Sequence, residues 1–222
     1  MQISSFKDNT ELVQKVNEWC VNYISKYNAK SIYLPAGNTP KAIYKDWEQG
    51  QPNWLKELTF LQMDDVYTGS QKGLFEQFFV EHLPTYKEQI LTPQQSGGKV
   101  ADLSILGLGR NGHVAFHEPG QSESFFYGIV SLAESTTKDL NLEAETKGIT
   151  YGVGAFLQTK AVLLIVSGAS KLQAWTQFLA SAGDLPVNFL LKHPDFTVFV
   201  DEALVTAQQN DKSKKSPPFM MV

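Results

Sequence analysis

The 222-residue chain contains one cysteine, Cys20, and one arginine, Arg110. A lone thiol excludes an internal disulfide framework and any thiolate cluster around a metal. Cys20 falls on the apolar face of the first helical segment, where a buried structural thiol is expected rather than a nucleophile. No apolar run approaches the roughly 18 residues that a membrane span requires. The opening residues, Met1 to Asp8, lack a basic stretch followed by an apolar one, so no secretory leader is expected. A formal net charge of −4 leaves no basic excess for general nucleic-acid binding. These absences lead to the expectation of a cytoplasmic chain that engages neither nucleic acid nor membrane.

The chain has the apolar content for a core: 42% of its residues are hydrophobic and 19% charged, which excludes global disorder. Leu12, Val16, Trp19, Cys20, Tyr23, Ile24 and Tyr27 recur at helical spacing, with Asp8 and Glu11 forming a capping box. Short apolar runs then alternate with helical ones. Strands are predicted at 31–34, 58–63, 101–106, 161–166 and 196–200. Helices are predicted at 41–48, with Thr39 as N-cap and Pro40 at the first helical position, at 74–82, and at 170–180. This alternation predicts an α/β fold, a Rossmann-like three-layer sandwich whose mostly parallel central sheet is covered by helices on both faces. One domain is expected over residues 1–207. Residues 120–148, the least regular stretch, are expected to cover a site. A flexible tail is expected over 208–222.

In an open parallel sheet, ligands bind beyond the carboxyl ends of the strands. Four predicted strand ends carry chemistry-bearing residues. The first leads into Ala36-Gly37-Asn38-Thr39, a turn whose amides and following helix suit an anion. The second is followed by Asp64-Asp65, and the third by Gly107-Leu108-Gly109-Arg110-Asn111-Gly112-His113. The fourth leads into Ser167-Gly168-Ala169-Ser170-Lys171. Each alone has an ordinary structural explanation: a helix start, a strand-end turn, a solvated lysine. Gly107, Gly109 and Gly112 complete a GxGxxG pattern, but no acidic residue follows at the next strand end to bind a ribose. Their recurrence at successive ends of one sheet is what points to a site.

On these residues the chain resembles the glucosamine-6-phosphate and galactosamine-6-phosphate isomerase/deaminase family, which shares its fold with 6-phosphogluconolactonase. The resemblance runs from residue 1 to about 205. Leu34-Pro35-Ala36-Gly37-Asn38-Thr39-Pro40 is similar to the family's phosphate loop, and Phe60 to Asp65 to its proton-transferring segment. Gly109 to Gly120 is similar to its most specific signature, while Ile149 to Gly154 and Ser167 to Lys171 are similar to its later motifs. The lactonases continue His-x-Ala-Ser-Leu-Phe-Pro, whereas here His113 is followed by Val114-Ala115-Phe116-His117-Glu118-Pro119-Gly120, whose Glu-Pro-Gly is similar to the deaminases.

The resemblance implies isomerisation and deamination of a 2-amino-2-deoxyhexose 6-phosphate, with no cofactor and no metal. Asp64, His113, Glu118 and Asn111 become the expected catalytic set. Ala36, Gly37, Asn38, Thr39, Gly109, Arg110 and Lys171 become the expected substrate-binding set. Asp65 is expected to face away from Asp64, and His82, His117 and His193 to be structural. The alternatives are a lactone hydrolase and a non-catalytic sugar-phosphate sensor. Homo-oligomerisation stays open, since the family includes monomers and hexamers.

Three positions depart from the glucosamine-type pattern. Asn111 stands where an aspartate is usual, an exchange also found in the galactosamine branch; an amide orients by hydrogen bonding but supplies no charge. No arginine lies between Gly120 and Lys147 to reach the phosphate, which leaves Lys138 as the expected substitute. Val66 replaces a tyrosine, with Tyr67 adjacent.

Overall fold

The computed structural model describes residues 1–215, with side chains to residue 210. Strands run over Gln2–Phe6 (β1), Ser31–Leu34 (β2), Thr59–Gln62 (β3), Asp64–Val66 (β4) and Ile90–Leu91 (β5). They continue over Leu103–Gly107 (β6), Tyr127–Ser131 (β7), Lys147–Tyr151 (β8), Ala161–Val166 (β9) and Phe196–Asp201 (β10). Helices are Asn9–Tyr27 (α1), Lys41–Gly50 (α2), Leu74–His82 (α3), Pro93–Ser96 (α4) and Glu134–Asp139 (α5). They are followed by Val153–Phe156 (α6), Leu172–Leu179 (α7), Pro186–Phe189 (α8) and Glu202–Lys215 (α9). None is long and apolar enough to cross a membrane.

Among the described residues, seven strands form a parallel sheet in the order β1-β10-β9-β6-β2-β3-β5. β9 shows why both faces are covered. Its six residues Ala-Val-Leu-Leu-Ile-Val are all buried, and successive side chains point to opposite faces. Ala161, Leu163 and Ile165 pack with α1 and α2 through Leu12, Val16, Trp19, Ile43, Tyr44 and Trp47. Val162, Leu164 and Val166 pack with α6, α7 and α9 through Phe156, Trp175, Phe178 and Leu204. The expected α/β three-layer sandwich is therefore present.

Several local expectations are revised. β1 is a polar sequence, Gln-Ile-Ser-Ser-Phe, and becomes a strand only because β10 offers it a parallel edge. Asp8 does accept from the Glu11 amide at 3.0 Å, but the Glu11 carboxylate reaches the Lys7 amide, so the predicted box is half-formed. Thr39 does not cap α2: the helix begins at Lys41 with Pro40 at the cap and no side-chain bond. The Lys41 amide instead approaches the Asn38 carbonyl at 3.4 Å, tightening the turn and leaving the Thr39 side chain to line a cavity.

Residues 120–148 are more ordered than expected, for they contain β7 and α5. β7 pairs antiparallel with β8, which pairs antiparallel with β4, so a second, three-stranded sheet stands beside the first. Residues 208–215 of the expected tail continue α9, and 216–222 lie outside the described residues.

Asp102 pins the amino ends of three central strands. Its carboxylate accepts from the Lys30 amide at 2.7 Å and the Ser31 amide at 3.1 Å, and pairs with the Lys160 ammonium at 2.8 Å. Burial works against the ionised form, but Lys160, the Lys30 amide and the Ser31 hydroxyl outweigh it and hold the carboxyl below its ordinary value. Such a group stabilises the fold above its unfolded pKa, and that contribution disappears as pH falls through the lower folded value. Asp102→Ala is expected to cost about 2 kcal/mol at pH 7 in urea unfolding. The difference from wild type should shrink below roughly pH 4, and a pH-independent difference would contradict this role.

Candidate active site

The chain leaves β2 towards β3 and β5, then returns to place β6 on the other side of β2. At such a reversal the loops beyond the two strands diverge and leave a crevice. A cavity of about 500 Å³ occupies this position, lined by the segments after β2, β3, β6 and β9 and by α5. Of the expected site residues, Ala36, Gly37, Asn38, Thr39, Asp64, Gly109, Arg110, His113 and Lys171 line it. Glu118 and Asn111 do not line it but lie directly behind His113.

His113 and Glu118 are brought together by a reversal of the chain. The His117 amide donates to the Val114 carbonyl at 3.0 Å, and the two residues form an antiparallel bridge. Ala115 inside this turn has φ of 50°, a left-handed conformation tolerated by a small side chain better than by a branched one. The turn carries His113 and Glu118 to facing positions, with Nδ1 of His113 3.5 Å from Oε2 of Glu118. Spacing in sequence thus becomes opposition in space.

Glu118 is buried, yet its carboxyl is held below the ordinary value. Burial opposes ionisation, but His113, the Thr136 hydroxyl and the Asn111 amide together prevail. Asn111 donates from Nδ2 to Glu118 at 2.9 Å and to the Ser135 hydroxyl at 3.2 Å, while its Oδ1 accepts from the His113 amide at 3.1 Å. An aspartate at 111 would have no proton to give Glu118 at neutral pH. Gly109 completes the support: a Cβ there would lie 2.2 Å from the His113 ring.

Asp64 and Asp65 separate as the strand period predicts. Asp65 accepts from the amides of Val66, Phe75 and Glu76 at 2.7, 2.9 and 3.1 Å, so it closes the amino end of α3. Asp64 lines the cavity, and burial, with the neighbouring Asp65 charge adding to it, pushes its carboxyl well above the usual range. A carboxyl whose proton affinity is raised by burial suits reversible proton transfer.

Lys171 ends a short 3-10 turn, Ala169–Lys171, that leads into α7. Burial depresses its ammonium, Arg110 depresses it further, and Asp139 pulls the other way. Arg110 is paired with Asp139 of α5 at 2.9 Å. Lys138 lies outside the cavity and its ammonium pairs with Glu134, contrary to its expected place at the phosphate. His117 accepts from the Val153 amide at 3.0 Å through Nδ1 and is fully buried, and burial lowers its pKa. His193 is buried between Thr159 and Asp195, and His82 packs on Phe78.

Sequence reasoning missed Thr136, whose hydroxyl donates to Oε1 of Glu118 at 2.5 Å. It also missed Asp139, which reaches Arg110 from the same helix. Both lie in a polar run with no periodicity, and the available signal was the gathering of three hydroxyl residues between acidic ones in Glu134-Ser135-Thr136-Thr137-Lys138-Asp139.

A family model described as glucosamine-6-phosphate isomerases/6-phosphogluconolactonase matches residues 74–199. A glucosamine-6-phosphate deaminase of Bacillus cereus is 38% identical, over 91% of this chain and 87% of its own. One of Leuconostoc citreum is 28% identical, over 77% of this chain and 84% of its own. Among solved structures, a monomeric glucosamine-6-phosphate deaminase superposes with a TM-score of 0.77 at 24% identity, covering 93% of this chain and 99% of that one. The 6-phosphogluconolactonase of Trypanosoma brucei gives 0.72 at 18% identity, covering 93% and 98%. At these identities the two structures speak for the fold. The family match and the Bacillus cereus relative go further: the chain belongs to the glucosamine-6-phosphate isomerase/6-phosphogluconolactonase family.

Proposed function

We propose that the protein converts a 2-amino-2-deoxyhexose 6-phosphate and water into a ketohexose 6-phosphate and ammonia. The observation that carries this reading is the sharing of one cavity by Asp64, His113, Arg110 and Lys171. Two groups able to transfer protons and two cations line one space of a size that suits a phosphorylated sugar. Relatives named glucosamine-6-phosphate deaminase support the glucosamine epimer. Asn111 is the feature in common with the galactosamine branch.

In this reading the amides of Gly37, Asn38 and Thr39 hold the phosphate together with Lys171. Arg110 joins them once its carboxylate partner is exchanged for the phosphate. His113 returns a proton to the ring oxygen as the pyranose opens, with Glu118 stabilising the imidazolium that it becomes when it takes a proton. Asp64 removes the proton from C2 and delivers it to C1, turning the aldose into a ketose imine. Water adds to C2 of the imine and ammonia leaves. The segment 120–148, through α5, covers the cavity during these steps, and the chain from residue 1 to about 207 acts as one domain.

Glu118-Pro119-Gly120 and the named relatives set this reading above lactone hydrolysis. The deciding assay measures ammonia release from glucosamine 6-phosphate and galactosamine 6-phosphate beside a 6-phosphogluconolactone control. Ammonia from either amino sugar, with no acceleration of lactone hydrolysis, is expected; the reverse pattern would overturn the proposal.

Positioned acid–base groups contribute about 10²–10⁴-fold, so Asp64→Asn and His113→Gln should each lower kcat by that order. Full turnover in both would exclude the assigned chemistry. Gly109→Ala is expected to keep the fold while driving the imidazole from its present position, since the new Cβ would lie 2.2–2.4 Å from three of its ring atoms. Its kcat should nevertheless fall to near that of His113→Gln, with an unfolding midpoint close to wild type. Retained turnover would show that the present ring position is not the working one.

A further inference from the structure

The Thr136 hydroxyl is 2.5 Å from Oε1 of Glu118 and 3.5 Å from Nδ1 of His113, and the residue is buried. It belongs to α5, while Glu118 and His113 belong to the loop after β6, so the bond joins the helix over the cavity to the acid–base pair. Two further contacts run the same way. The Ala133 amide, at the start of α5, lies 3.5 Å from Oε1 of Glu118, and the Ser135 hydroxyl accepts from Asn111. The first turn of α5 thus places a hydroxyl and an amide against one carboxylate oxygen, leaving Asn111 and His113 to serve the other.

We infer that Thr136 is a positioning residue through which α5 controls the ionisation and orientation of Glu118, so that the acid–base pair is complete only while α5 lies over the cavity. This rests on the proposed reading of the site. A charge-assisted hydrogen bond between two buried groups is strong and directional. A buried carboxylate that loses a donor regains the cost of burial and takes up a proton more readily. Displacing α5 therefore weakens Glu118 as the partner of an imidazolium, and chemistry is tied to coverage of the substrate. The titratable groups around Glu118 are few. His113 and His117 come from its own loop, whereas α5 turns only hydroxyls and an amide towards it. The charged residues of α5 are engaged elsewhere, Glu134 with Lys138 and Asp139 with Arg110.

Thr136→Val keeps the shape and removes the hydroxyl; Thr136→Ser keeps the hydroxyl and removes a methyl. In the ammonia assay, Thr136→Val should lower kcat about 10-fold or more, as for loss of a hydrogen bond to a charged group. Its KM should stay within about 2-fold, and the acid limb of its kcat–pH profile should move to higher pH. Thr136→Ser should stay within about 3-fold of wild type with the limb in place. Equal losses in the two variants, or a valine variant with wild-type kcat and pH profile, would overturn the inference. A second measurement needs no turnover: NMR titration of the Glu118 carboxyl, assigned with Glu118→Gln. Thr136→Val should move this titration upward, and an unmoved titration would also overturn the inference. If wild type released no ammonia, the proposed function would fail, while the titration would still decide whether Thr136 governs Glu118.

Discussion

The pairing of β2 with β6 is the constraint on which the site depends. Only Ile32 with Leu103 and Tyr33 with Ser104 are in register there, and the chain order reverses across this pair. Strands on one side carry their connections outward towards β5, and strands on the other towards β1. The glycine-rich turn after β6 and the turn after β2 therefore part company, and the space between them stays open. Every group assigned to the substrate projects from a strand end or loop around this parting. Asp102, at the opposite ends of the same strands, keeps β2, β6 and β9 in step, so alignment at one edge of the sheet supports geometry at the other.

A second physical demand lies behind His113. A carboxylate buried as deeply as Glu118 is costly unless its lone pairs are met, and four groups from two segments meet them. In this light Asn111 is a fitting residue rather than a defective one. An amide can donate to Glu118 and accept from the His113 amide at once, which a carboxylate cannot do at neutral pH. The pair keeps a single buried negative charge, held by neutral donors on both oxygens.

Much of this was legible in the sequence. The all-apolar run of β9, bounded by turns, announced a central strand, and Ser31-Ile32-Tyr33-Leu34 before a proline-glycine turn announced β2. The strand period separated Asp64 from Asp65, and the resemblance to the deaminases put His113 and Glu118 in one set. What stayed hidden depended on partners distant in the chain. β1 is polar and owes its conformation to the free edge of β10. β7 and α5 lie in a stretch without periodicity and are held by β8 and by the loop after β6. Lys138 and Asp139 are adjacent charged residues, and their angular positions on a six-residue helix turn Asp139 to Arg110 in the cavity and Lys138 away from it to Glu134. Thr39 looked like a cap because it precedes Pro40, yet the turn at Asn38 took the amide that a cap would have served.

The ion pair between Arg110 and Asp139 has a kinetic meaning. In the proposed reaction, substrate and product carry the same phosphate, so each must displace Asp139 on arrival and be displaced by it on departure. Binding at Arg110 becomes an anion exchange, with Asp139 holding the guanidinium whenever the phosphate does not. The exchange weakens the hold on substrate and product alike and shortens the stay of each. A tethered carboxylate, always at hand, acts as a built-in eluent.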